Sequence, residues 1–249
     1  MFTTGIHLYL YLAGGLYGAA FLLYLLSKQR AAFLLLAAGF ILNFLYLLGR
    51  GWLGGIFFPN PVFEGPFLLP CCIAFISLVM RTANRDSQWA RLLLPAFIFS
   101  LFAMWYAKGM IPPTPKKITP WATAFFLTES MGHALFYSGA LLALAALVKR
   151  ETTDAFHDPV VWGFLIFSVS QVTGAVWCYT GWGNTFRWGP RHMTTAAIWL
   201  TYAAYLHLRY ISGWNMKKRA VYVIIAAGIT LFGSFGSYIH EMNFPRIGG

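Results

Sequence analysis

Eight long apolar blocks fill this chain of 249 residues, and they constrain its fold more than any other feature. Residues 5–27, 31–49, 66–80, 92–107, 121–148, 160–180, 193–212 and 220–240 are each mostly apolar. A helix needs about 20 apolar residues to cross a hydrocarbon core of roughly 30 Å. Inside that core every backbone N–H and C=O must be satisfied within the helix. Most of the blocks meet that length, and the third and fourth fall a few residues short. Only 10% of the residues are charged, against about 25% in soluble domains, too few to build a water-facing surface. The blocks predict an all-α polytopic membrane helix bundle of about eight transmembrane helices, one transmembrane domain over residues 1–249. The first block lacks a basic leader and is followed at once by further apolar segments, so it reads as a span rather than a cleavable signal.

The formal charge is +11, and its placement argues against nucleic acid as the partner. The cations alternate between loops on opposite sides of the spans. One side holds Lys28, Arg30, Arg81, Arg85, Arg91, Lys149, Arg150, Arg209, Lys217, Lys218 and Arg219. The other holds Arg50, Lys108, Lys116, Lys117, Arg187, Arg191 and Arg246. Cytoplasmic loops carry the excess of Lys and Arg. The richer side is therefore expected inside, and an even span count puts both termini on the outer face of a bacterial or archaeal cytoplasmic membrane. The outer cations are either headgroup anchors in the lipid bilayer or partners for an anionic ligand.

The outer connections differ in character from the inner ones. Residues 50–65 read RGWLGGIFFPNPVFEG, whose glycines and prolines favour turns over a continuous helix. Residues 108–120 read KGMIPPTPKKITP, proline-broken and basic. Residues 181–192 read GWGNTFRWGPRH, aromatic and basic together. A loop that only reverses the chain needs few aromatics. The Trp-rich stretch 177–192 therefore marks the outer membrane–water boundary as the candidate site. An interfacial aromatic belt is the plainer reading of Trp177, Trp182, Phe186, Trp188 and Trp199. The interleaved Arg187 and Arg191 favour a site instead, since guanidinium forks pair with carboxylates and aromatic faces pack against flat ligands.

Ionisable groups inside spans are costly, and they are functional candidates by default. His7, His192 and His240 fall near outer ends of spans, His133 lies in the fifth span, and His207 lies deep in the seventh toward the inner side. His133 is about 20 Å along the helix from Pro120 at 1.5 Å per residue. Glu129, four residues before it, shares its helix face. Imidazole is a strong axial ligand for haem iron. No CxxCH is present, so no covalently attached haem is expected. Cys71, Cys72 and Cys178 lie in apolar spans and read as core packing.

The stretch from Gly174 to Arg209, GAVWCYTGWGNTFRWGPRHMTTAAIWLTYAAYLHLR, resembles the tryptophan-rich haem-handling segment of the CcsA/CcmC family of cytochrome c assembly proteins. The matching positions are Gly174, Ala175, Trp177, Trp182, Gly183, Trp188, Pro190, Tyr205, Leu206, His207 and Arg209. Upstream, Gly55, Phe58, Pro59, Asn60, Phe63 and Glu64 match the family's outer segment. Near the end, FGSFGSYIHEM is similar to the closing run that carries a haem-binding histidine, here His240. The three segments occur in the family's order, closest to the eight-span CcsA branch. The chain departs from the pattern at Phe186, Gly189, Arg191 and His192, which replace a Trp, an Asp, a Lys and a Glu. The family's other outer histidine would fall near Phe125, where this chain has none.

The resemblance implies a non-covalent haem b, as cargo or cofactor, held at the outer face. It implies Trp182 and Trp188 as the haem platform and His207 as a histidine of haem transit; the residues themselves add Trp177, Phe186, Arg187, Arg191, His192 and Glu64 as candidate contacts. The resemblance implies His240 as one iron ligand; because the family's second outer histidine is missing here, His133, ahead of His192, is read as its partner. The implied activity is haem delivery or attachment to an apocytochrome, as a possible cytochrome c haem lyase or synthase subunit with a CcsB-like membrane partner. Two alternatives stay open. One is a permanent b-type haem subunit passing electrons between quinol and an outer multihaem c-type cytochrome within a membrane complex. The other is a haem-free structural or assembly subunit.

Overall fold

The computed structural model describes residues 2–53, 61–83, 88–106, 115, 118–150, 153–186 and 188–241. The side chains of 2–4, 61–64, 190–191 and 235–241 lie outside the description. Among the described residues there are eight α-helices, one 3-10 turn and no strand. The helices are α1 (Phe2–Leu25), α2 (Gln29–Leu53), α3 (Pro61–Thr82), α4 (Leu93–Trp105), α5 (Pro120–Lys149), α6 (His157–Trp182), α7 (Pro190–Leu208) and α8 (Met216–Glu241). Five of them, α1, α2, α3, α5 and α6, are long and apolar enough to cross a membrane. The chain is thus an all-α polytopic membrane protein.

The helices bear out the apolar blocks and correct their edges. The third block is not short in the structure, because α3 begins at Pro61 and takes in part of the glycine-proline segment. Proline suits the first turn of a helix, where its missing N–H has no intrahelical partner anyway. α4 remains short at 13 residues, preceded by the 3-10 turn Trp89–Leu92. α6 runs on to Trp182 and ends at Gly183, whose φ of 72° supplies the left-handed cap. Trp177 and Trp182 are therefore helical, and of the described aromatics before α7 only Phe186 and Trp188 lie outside the helix. α5 starts on a Thr119 cap that accepts from the Ala122 N–H at 3.2 Å, with Pro120 first in the helix.

The chain divides into two compact units, residues 1–118 and 119–244. In the first unit α1 packs on α2 and α4. Gly39 on α2 receives the Tyr17 ring, and Gly18 on α1 receives the Phe97 ring. Small residues bring membrane helices close, since packing rather than water drives their association. Cys71 and Cys72 are buried on α3, and Trp89 of the 3-10 turn is fully buried.

In the second unit α5 and α6 run antiparallel and interlock at four notches. A side chain added at Gly132 would meet Phe167, at Gly139 Val160, at Gly163 Phe136 and at Gly174 Phe125. α7 completes the layer through a Phe136–Tyr202 stack with centroids 3.5 Å apart and a Trp199 N–H donated to Ser168 Oγ at 2.9 Å. α8 lies against α7 and α5. Its Tyr222 hydroxyl donates to the Thr201 carbonyl at 2.9 Å. Tyr202 is completely buried, so Tyr202→Ala should cost about 3–5 kcal/mol, as large aromatic truncations do. Thermal unfolding in detergent measures it, and an unchanged midpoint would mean that the stack contributes little.

Candidate functional site at the aromatic end of the second unit

The antiparallel order brings the start of α5, the end of α6, the start of α7 and the end of α8 to one end of the second unit. Two aromatic groups assemble there. In the first, the Trp177 ring lies 5.8 Å from Phe125, 5.5 Å from Phe126 and 5.5 Å from Trp182. In the second, Phe186 lies 5.2 Å from Trp188 and 5.4 Å from His192, both edge-on. Trp182 is 41% exposed, Phe186 38% and Trp188 85%. Among the described residues these three rings keep part of their apolar surface exposed.

His192 stands in the first turn of α7, inside this group. Its Nε2 is 3.2 Å from the Cys178 Sγ on α6, a thiol–imidazole pair fourteen residues apart. Cys178 is buried, as the sequence suggested, but it also fixes the imidazole. Sequence reading missed this link, because a contact across a helix–loop–helix reversal leaves no periodic trace.

His133 is placed differently. It is 9% exposed and sits on α5 seven residues inward from Phe126, about 10 Å along the axis. Its Nδ1 is 3.4 Å from the Ser234 Oγ of α8, and its ring lies 5.3 Å from Phe167 and 6.3 Å from Tyr137. Glu129, one turn outward, is buried as well. His133 therefore belongs to the helix-packed interior rather than to the exposed rings of Trp182 and Trp188.

His207 is not deep in its span. It is the second-last residue of α7, exposed, and its Nδ1–H donates back to the Ala203 carbonyl at 2.8 Å. It lies at the opposite end of the unit from the aromatic groups. His240 is in the last turn of α8, six residues or about 9 Å beyond Ser234, which puts its backbone toward the aromatic end. The side chains of His240, Arg191 and Glu64, and all of Arg187, lie outside the described residues.

The first unit holds one further polar feature. Arg50, expected among the outer cations, is only 2% exposed. Its guanidinium donates to the Tyr46 hydroxyl at 3.3 Å and lies 4.7 Å over the Phe67 ring. Such a buried arginine is part of the interior and does not anchor a lipid headgroup. Among the described residues no group of three or more His, Cys, Asp or Glu side chains could hold a metal ion.

Residues 61–242 match the cytochrome c assembly protein family. A cytochrome c biogenesis protein CcsA of Prochlorococcus marinus is 32% identical over 108 residues, 43% of this chain and 33% of that protein. A CcsA of one Synechococcus strain is 27% identical over 187 residues, 65% of this chain and 60% of that protein. A CcsA of a second Synechococcus strain is 24% identical over 246 residues, 80% and 81% of the two chains. The first two alignments thus span a third to three fifths of the relatives' lengths. No solved structure matches the chain. The match from α3 to the end of α8 takes in both the aromatic end and the helices that carry it: the chain belongs to the cytochrome c assembly protein family.

Proposed function

We propose that this protein handles haem at the outer face of the membrane during cytochrome c maturation, presenting it to an apocytochrome with a CcsB-like membrane partner. The observation that carries this reading is the partly exposed aromatic surface of Trp182, Phe186 and Trp188, with the His192 imidazole against the Phe186 ring. Flat apolar faces beside an imidazole suit a porphyrin, whose iron takes nitrogen ligands and whose body is apolar. Arg187 and Arg191, next to these rings in the sequence, suit its propionates. The excess of cations on the opposite loops supports the outward orientation of this end.

The haem, as cargo, would rest against Trp182, Phe186 and Trp188. Of the two candidates beside His240, His192 is favoured as its second ligand, because His133 lies about two helical turns deeper. The Cys178 thiol holds the His192 ring in place, and the indoles keep water from one face of the ligand. His133 is an imidazole buried between helices, against Ser234 and Phe167. It is the observation that keeps a resident b-type haem as the alternative reading.

A visible spectrum and pyridine haemochrome of the purified protein test the proposal. Haem is expected in the wild type. Trp182→Ala with Trp188→Ala should each cost about 2 kcal/mol or more, as buried anchor residues do, so retention falls by roughly thirtyfold per residue. Changing Arg187 and Arg191 together to Gln should lower haem retention while membrane insertion is unchanged. Equal haem content in wild type and all of these variants would remove the platform.

A further inference from the structure

The end of the second unit opposite the aromatic loop carries a groove that haem handling does not use. It has a volume of about 360 Å³ and is lined by Trp214, Lys217, Lys218, Val221, Tyr222 and Ile225. Its walls are apolar, and the aliphatic stems of Lys217 and Lys218 form part of them. The turn before α8 builds it. Gly213, at φ 88°, lets the chain reverse, and its carbonyl accepts from the Lys218 Nζ at 2.9 Å. Trp214 stands edge-on to Tyr222 at 6.0 Å, and the Tyr222 hydroxyl is tied to Thr201 on α7. Its lining residues all belong to that turn and to the start of α8, which the Tyr222 bond ties to α7.

Charge separates these two lysines from their neighbour. Arg219 is paired with Asp154 at 3.2 Å. The ion pair of this turn includes neither Lys217 nor Lys218. Lys218 uses one of its three N–H donors on Gly213, which leaves two. Below the lysines, Val221, Ile225, Ile229 and Phe232 are exposed at helical spacing along one side of α8. From 221 to 232 this stripe is about 16 Å long.

We propose that this groove is a binding site for an anionic phospholipid. Its headgroup phosphate meets the Lys217 and Lys218 ammoniums beside the Trp214 indole, and one acyl chain follows Val221, Ile225 and Ile229 along α8. A zwitterionic lipid fits the same apolar stripe and lacks the net negative charge that two lysines favour. Each lysine near an anionic headgroup is worth about fivefold in affinity.

Full-length protein in a neutral detergent, titrated with phosphatidylglycerol or phosphatidylcholine of the same acyl chains, tests the site, with retained lipid counted by native mass spectrometry. Wild type should keep phosphatidylglycerol in preference to phosphatidylcholine. Lys217→Gln with Lys218→Gln should lower that preference by about fivefold for each lysine. Lys149→Gln with Arg150→Gln removes the same charge elsewhere and should leave it unchanged, as should Lys217→Arg with Lys218→Arg. Undiminished preference in the 217/218 glutamine variant, or equal loss in the 149/150 variant, overturns the proposal. Helicity and elution volume report that each variant is folded.

Discussion

Gly132→Leu is expected to disassemble the second unit. A β-carbon at Gly132 would sit 3.0 Å from the Phe167 Cβ and 3.2 Å from the Phe167 Cα and N. Backbone atoms of a neighbouring helix cannot rotate aside as a flexible side chain can. Accommodating leucine would force α5 and α6 apart, and with them the Phe136–Gly163 and Phe125–Gly174 notches on the same interface. Overpacking of a close-packed core costs typically about 1–3 kcal/mol, and a clash against backbone lies at or above the top of that range. Gly228→Leu is the matched control. It lies on α8 in the same unit, and nothing approaches its added β-carbon within 4 Å. The fraction of protein that stays monodisperse in detergent, and its thermal midpoint, should fall sharply for the first substitution and hardly at all for the second. Equal midpoints would show that the α5–α6 interface is looser than its geometry.

The second large effect concerns the ligands. His192→Ala and His240→Ala should each abolish the spectrum of a platform haem and cut holo-cytochrome output by roughly tenfold or more, the range seen when groups that hold a metal ligand are lost. His133→Ala should leave the platform haem in place, because its imidazole is about two turns deeper and already set against Ser234 and Phe167. Cys178→Ser should act between these limits, loosening the His192 ring without removing it. The pattern is read from the Soret band and from thioether attachment in cells that also make an apocytochrome. If His133→Ala empties the platform while His192→Ala leaves it filled, the assignment of the ligands here is wrong. If all three histidine variants match the wild type, His133, His192 and His240 do not hold haem.

Much of this molecule was written into the order of its residues. Helices at the eight apolar blocks follow from a local cause: a chain in hydrocarbon must satisfy its own backbone, and only the helix does so within one segment. The segments from Gly174 to Arg209 and around His240 carry the family resemblance, and the match over residues 61–242 upholds it. What the residues did not disclose depends on which helix faces which. Arg50 looked like a surface cation and lies buried over Phe67. His133, read as a partner of His240 because it is the sole histidine of α5, is set against Ser234 of α8 and Phe167 of α6. It packs about two turns below the exposed indoles. His207 looked deep and is exposed near the last turn of α7. His192 gained its place beside Cys178 and Phe186 only when α6 and α7 folded back on each other. Hydrophobicity and spacing act along one chain segment, so they can be read from it. Depth, facing and the company a side chain keeps are set by packing between segments distant in sequence, and these only the tertiary structure decided.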